Sequence, residues 1–146
     1  MEITKRKITL NRIDDHMNFE AVGANGKKVL FDAGPKVGGK DNGVGPMDSL
    51  LMAAAACSSI DVVLILKKMK QQIDDYKVEV EAERVPDGEA SKYKTIHLHF
   101  MLTGEIKEKK LEKAIQMSLD KYCSVSKILA CSAEITSSFT LNGDMA

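Results

Sequence analysis

The stretch LLMAAAACSSIDVVLILKKMK, Leu50 to Lys70, is the least polar in the chain, yet a cysteine, two serines and an aspartate interrupt it near its middle. Four consecutive alanines, Ala53 to Ala56, come just before the interruption. They offer almost no side-chain bulk, so another backbone can come close immediately ahead of Cys57. Pro46 and Asp48 at the front, and Lys67, Lys68 and Lys70 at the back, complement the two ends of a helix dipole. We therefore expect a helix of about 20 residues from near Met47 to near Lys70, apolar on nearly every side and enclosed by protein. Its length approaches the ~20 residues of a membrane span. However, Asp61 near the centre would cost ~2.5–3.5 kcal/mol in a bilayer and the serines dilute the run further. The buried helix of a soluble core is the better reading.

Ahead of this helix, residues 2–13 alternate loosely as a strand, and Met17, Phe19 and Ala21 alternate with polar neighbours as a second. Asn25-Gly26 has the signature of a tight hairpin turn before Val29, Leu30 and Phe31. The glycine-rich DAGPKVGGKDNGVGP, Asp32 to Pro46, is too rich in breakers for an element and reads as a long functional loop or flap. Behind the helix, Tyr76 to Arg84 alternates apolar with charged residues. Pro86-Asp87-Gly88 turns the chain into a second alternating run, Thr95 to Leu102, giving a half-buried antiparallel hairpin. From Ile106, apolar residues recur at helical spacing as far as Tyr122. Ser124 to Ala130 reads as a short helix and Ala133 to Leu141 as a closing strand. The order is βββ-α-ββ-αα-β, an α+β class with strands and helices segregated.

At 146 residues the chain reads as one domain, 1–146, able to bury roughly 68–70% of its unfolded surface. Lysine plus arginine equals aspartate plus glutamate at 21 each, well mixed, which argues against nucleic acid or an anionic membrane as partner. The N-terminus lacks the apolar run of a secretory signal, and three scattered cysteines suit a reducing compartment, so a cytoplasmic location is expected.

Cys57 and Asp61 stand at i and i+4 on one helix face. Taken alone, Cys57 reads as a buried core thiol. Cys123 falls where the amphipathic helix meets SVSKIL, at the cap or first position of a short helix. Exposed N–H groups there predict a lowered thiol pKa. Cys131 has no such setting and reads as packing. His97 and His99 share one strand face, but no third metal ligand is indicated, so no metal site is assigned.

GPMDSLLMAAAACSSIDVVLILKKM, followed 66 residues after Cys57 by KYCSVSKIL, resembles the two signature segments of the OsmC/Ohr family, most closely its YhfA-like branch. The likeness extends from about Phe19 to Leu141. It implies an OsmC-like fold forming an intertwined homodimer around central apolar helices. It also implies a cofactor-free thiol peroxidase acting on organic hydroperoxides. The residue matched by Cys57 attacks the peroxide and becomes a sulfenic acid, the one matched by Cys123 closes a disulfide, and an external dithiol, lipoyl-type in one branch, reduces it. The hydroperoxide-reductase branch adds an arginine and a glutamate that activate the thiolate. Arg12 is the nearest counterpart of the arginine. The glutamate aligns with Met47, one position before Asp48, and nine residues at 100° each set Asp48 half a turn from Cys57. Asp61 is the alternative polar partner that could order the site. Two other functions fit the same residues, a redox sensor without turnover and an apolar-ligand-binding dimer.

Overall fold

The computed structural model describes residues 2–145 and has the α+β order of elements read from the sequence, with one short strand added at the end. The chain forms two compact units, one running to Leu50 and the other starting at Leu51.

The first unit is a three-stranded antiparallel sheet of β1 (Thr9–Arg12), β2 (Phe19–Val22) and β3 (Lys28–Phe31), in that order. Asn25 Oδ1 accepts from Lys27 N–H at 3.0 Å, and Gly26 takes φ 82°, which is why Asn-Gly stands at the β2–β3 turn. The expected strand over 2–13 shrinks to Thr9–Arg12. Its partner ends at Val22, opposite Thr9, and Gly23 begins the turn, so nothing remains for earlier residues to pair with. The glycine-rich segment is a folded turn rather than an open flap. Asp32 accepts from Ala33 N–H at 2.7 Å and from Asn42 N–H at 3.0 Å, a 3-10 turn spans Pro35–Val37, and Val44 bridges to Phe31. A β-carbon on Gly39 would lie 1.8 Å from the Ala33 carbonyl oxygen, so the closure itself demands glycine there.

Helix α1 (Pro46–Lys68) leads into the second unit. It is the one helix among the described residues long and apolar enough to cross a membrane by length and composition. There follow β4 (Gln72–Asp87), β5 (Ala90–Glu105), α2 (Glu108–Met117), a π-helical turn (Ser118–Tyr122), α3 (Ser124–Leu129), β6 (Glu134–Leu141) and β7 (Asp144–Met145). The hairpin is longer than its alternating core suggests, because backbone pairing continues through Pro86 and Asp87 and back to Gln72 opposite Glu105. β6 returns parallel to β5, as a crossover through two helices allows, so the four-stranded sheet runs β4-β5-β6-β7. Period-two alternation fills the core. Ile96, Leu98, Phe100 and Leu102 of β5 are buried, as are Val62 and Leu66 of α1 and Leu111, Ala114 and Ile115 of α2. The ring of Tyr76 meets that of Phe100 edge to face, with centroids 6.5 Å apart.

Candidate active site

The interruptions in α1 each have a partner. Ser58 is fully buried, and its hydroxyl donates to the Ala54 carbonyl at 2.7 Å, the back-bond by which a helix satisfies a serine in an apolar setting. Asp61 accepts from Ser118 Oγ at 3.0 Å, and the same hydroxyl lies 3.2 Å from the Ser58 carbonyl. This ties the start of the π-helical turn to the middle of α1. Cys57, half-buried, neighbours Cys123 closely enough to raise the pKa of its thiol. Segments 66 residues apart thus meet as a pair of free thiols.

The π-helical turn sets the position of Cys123. Its backbone N–H bonds the Ser118 carbonyl five residues back at 2.7 Å, and the wider turn brings the chain out of helix at Cys123, with φ −75° and ψ 103°. A helix running unbroken to Tyr122 is therefore replaced by α2 plus one π turn, a local irregularity that often marks functional positions. Cys123 is the N-cap of α3, as its sequence setting predicts, and its sulfur accepts from Ser126 N–H at 3.4 Å.

The expected lowering of its pKa is overturned. Burial leaves Cys123 only 2% exposed and pushes its thiol above the ordinary value. The Ser126 amide bond and the nearby Ser126 hydroxyl oppose that effect, while the neighbouring Cys57 sulfur adds to it. A short helix's cap cannot outweigh the loss of water around the sulfur. Cys131 is exposed, and its thiol reaches the Lys127 carbonyl at 3.7 Å.

Arg12 and Asp48 belong to the first unit. Arg12 is exposed on β1 and donates through Nε to the His16 carbonyl at 2.8 Å. Asp48 is exposed in the first turn of α1. His97 and His99 form a ladder with hydroxyls of the parallel neighbour strand. His97 bonds Thr136 at 2.6 Å and Ser138 at 2.8 Å, and His99 bonds Ser138 at 2.6 Å and Thr140 at 2.8 Å. Among the described residues no group of three histidine, cysteine or acidic side chains could hold a metal ion.

Two contributors escape the sequence reading. Ser118 looks like one more small residue on an amphipathic helix, and Ser126 like a polar residue in a short one. The signal for Ser126 was its place three residues after a capping cysteine, where a helix N-terminus turns donors back towards its cap. Beside the site, a cavity of about 440 Å³ is lined by Asp61, Leu64, Ile65, Met69, Met117 and Tyr122, with Lys68 at its wall.

Comparison with known proteins finds a family described as OsmC-like protein matching residues 39–138. Protein YhfA of Escherichia coli K12 is 38% identical over 124 residues, covering 84% of this chain and 89% of its own. An OsmC-like protein from Mycoplasma pneumoniae superposes with TM-score 0.79 at 22% identity, over 94% of this chain and 97% of its own. An organic hydroperoxide resistance protein from Legionella pneumophila does so with TM-score 0.73 at 15% identity, over 96% and 99%.

Proposed function

Because this chain belongs to the OsmC family, we propose that it is a thiol peroxidase reducing organic hydroperoxides through Cys57 and Cys123. The observation that carries this reading is the tie, through Ser118, of the segment leading into Cys123 to Ser58 and Asp61 beside Cys57, which brings the two thiols near each other. The Cys57 thiolate attacks the peroxide O–O bond. An S–O bond forms, the O–O bond breaks, and the alkoxide leaves with a proton as alcohol, so Cys57 loses two electrons and becomes a sulfenic acid. Cys123 then attacks that sulfur. The S–S bond forms as the S–O bond breaks, and the hydroxyl leaves with the Cys123 proton as water. A dithiol, lipoyl-type by the family resemblance, reduces the disulfide by exchange and closes a cycle that needs no cofactor.

The division of roles follows burial. Cys57 is the more accessible thiol, whereas Cys123 is enclosed and disfavours charge, which suits attack by the first and resolution by the second. Asp61 is the polar group we assign to ordering the site, through its bond to Ser118. The family name of the Legionella pneumophila neighbour agrees with the substrate class. Met52, Ile60, Val63 and Leu64 lie exposed along α1, an apolar stripe that suits the central seam of an intertwined homodimer. We read the protein as cytoplasmic.

The test is anaerobic reduction, one equivalent of cumene hydroperoxide, then thiol counting and nonreducing peptide mapping. Rapid loss of two thiols with recovery of a Cys57–Cys123 peptide supports the peroxidase. Intact thiols after prolonged exposure refute it. Two alternatives have their own support. Disfavoured charge on Cys123 would prolong the sulfenic acid, as a sensor requires, and the cavity beside Asp61 would suit an apolar ligand. A sensor forms the disulfide without turning over with any dithiol, and a carrier retains lipid and both thiols.

A further inference from the structure

Ser126 is 1% exposed, and its Oγ has no ordinary hydrogen-bond partner. Buried hydroxyls are nearly always satisfied, so an orphan beside a reactive sulfur asks for a reason. Its own backbone N–H already donates to Cys123 Sγ at 3.4 Å. The hydroxyl of the same residue makes no bond to the thiol yet stands near enough to favour the thiolate. A neutral thiol is a weak acceptor and leaves the second donor idle, whereas a thiolate accepts both strongly.

We propose that Ser126 is a catalytic residue of the resolving step, its hydroxyl donating to the Cys123 sulfur as that sulfur loses its proton and attacks. Its place in a peroxidase cycle rests on the reading above, while the donor itself rests on the geometry of Ser126. The step balances with no further reactant: Cys57 sulfenic acid and the Cys123 thiol give the disulfide and water. A donor idle in the thiol form and engaged as charge develops stabilises the transition state more than the ground state. The same contact serves the return reaction. When a dithiol attacks Cys57 in the disulfide, Cys123 departs as a thiolate, and the hydroxyl beside it can donate to the new charge.

The chemistry also explains how a buried resolving thiol can work at all. Burial and the Cys57 sulfur both oppose ionisation of Cys123, and the two donors of Ser126 are what the surroundings offer against them. Ser126→Ala deletes a hydroxyl that has no partner in the reduced state, so the fold loses no bond.

The experiment uses the full reduced chain with 13Cβ-labelled cysteine. In a background carrying Cys57→Ser and Cys131→Ser, the Cys123 resonance is followed against pH with Ser126 intact, with Ser126→Ala and with Ser126→Thr. Ser126→Ala should cut the thiolate fraction at a given pH about tenfold, the effect of one lost charge-assisted bond. Ser126→Thr, which keeps the hydroxyl, should restore it. A Cys123 titration that Ser126→Ala leaves unmoved overturns the proposal, and circular dichroism checks that each variant folds. With all cysteines present, one equivalent of cumene hydroperoxide and a dimedone trap should show the Cys57 sulfenic acid persisting about tenfold longer in Ser126→Ala. Equal lifetimes in the two proteins also overturn it. If the unmodified protein loses no thiols, the peroxidase reading fails while the titration still decides whether Ser126 stabilises the thiolate.

Discussion

Ser118 offers the cleanest test of how the π-helical turn is held to α1. Its hydroxyl donates to Asp61 at 3.0 Å and can fall back on the Ser58 carbonyl at 3.2 Å. Hydrogen bonds to charged groups contribute about 1.5–3 kcal/mol. Asp61 is only half-buried, so water partly replaces the hydroxyl when it is removed, which lowers the expected coupling to about 1–1.5 kcal/mol. Single variants would mislead, because alanine raises helix propensity at both positions. A cycle of Ser118→Ala, Asp61→Ala and the double variant cancels those terms. Urea unfolding at one fixed protomer concentration supplies the four free energies. Asp61→Ala should cost less than Ser118→Ala, since the serine keeps a second acceptor whereas the carboxylate loses its protein donor. A coupling below about 0.5 kcal/mol, within ordinary non-additivity, would refute the tie as a stabilising bond.

Gly104 sits at φ 141°, and a β-carbon there would lie 2.1 Å from the Gln72 carbonyl oxygen, so Gly104→Ala should destabilise the hairpin by about 3 kcal/mol in the same assay. Tyr76 is largely buried, and burial, only partly opposed by the nearby Ser59 hydroxyl, raises its pKa to about 12. The folded state thus holds this proton more tightly than the unfolded one. The associated stability is intact below pH 10 and lost as pH rises towards 12, so Tyr76→Phe should flatten the alkaline fall in urea midpoint and leave neutral stability equal or higher. Ile60, 63% exposed, is cheap to charge in a single chain but costly at a seam between two. With the homodimer seam proposed on α1, Ile60→Glu should give a folded monomer by light scattering where the unmodified chain is a dimer, and equal masses for the two proteins would refute that seam.

Patterns that report local structure were legible without coordinates. Alternation in Tyr76 to Arg84 and Thr95 to Leu102 marked the hairpin, Asn25-Gly26 its smaller counterpart, and the apolar run after Pro46 the long helix. Cys123 was recognisable as a helix cap for the same reason, since capping needs only the residue and the few that follow it. β7 was missed because two residues cannot show a period, and the π-helical turn because a helix wider by one residue keeps nearly the same apolar spacing.

Everything that turns these elements into a candidate site depends on neighbours remote in sequence. Spacing along the chain cannot say that Cys57 meets Cys123, that Ser118 reaches Asp61, or that β6 returns parallel to β5. The raised pKa of Cys123 makes the point most clearly. Its cap position predicts the opposite, because local N–H groups favour a thiolate, and only the surrounding fold removes the water that would have let them prevail. Local pattern alone marked which residues could be helix, strand and cap, since those are properties of a short window, whereas the roles of Cys57 and Cys123 came only from the family resemblance. The tertiary structure alone decided which thiol is enclosed, which is accessible and which serine faces the sulfur, because burial and proximity belong to the packed chain.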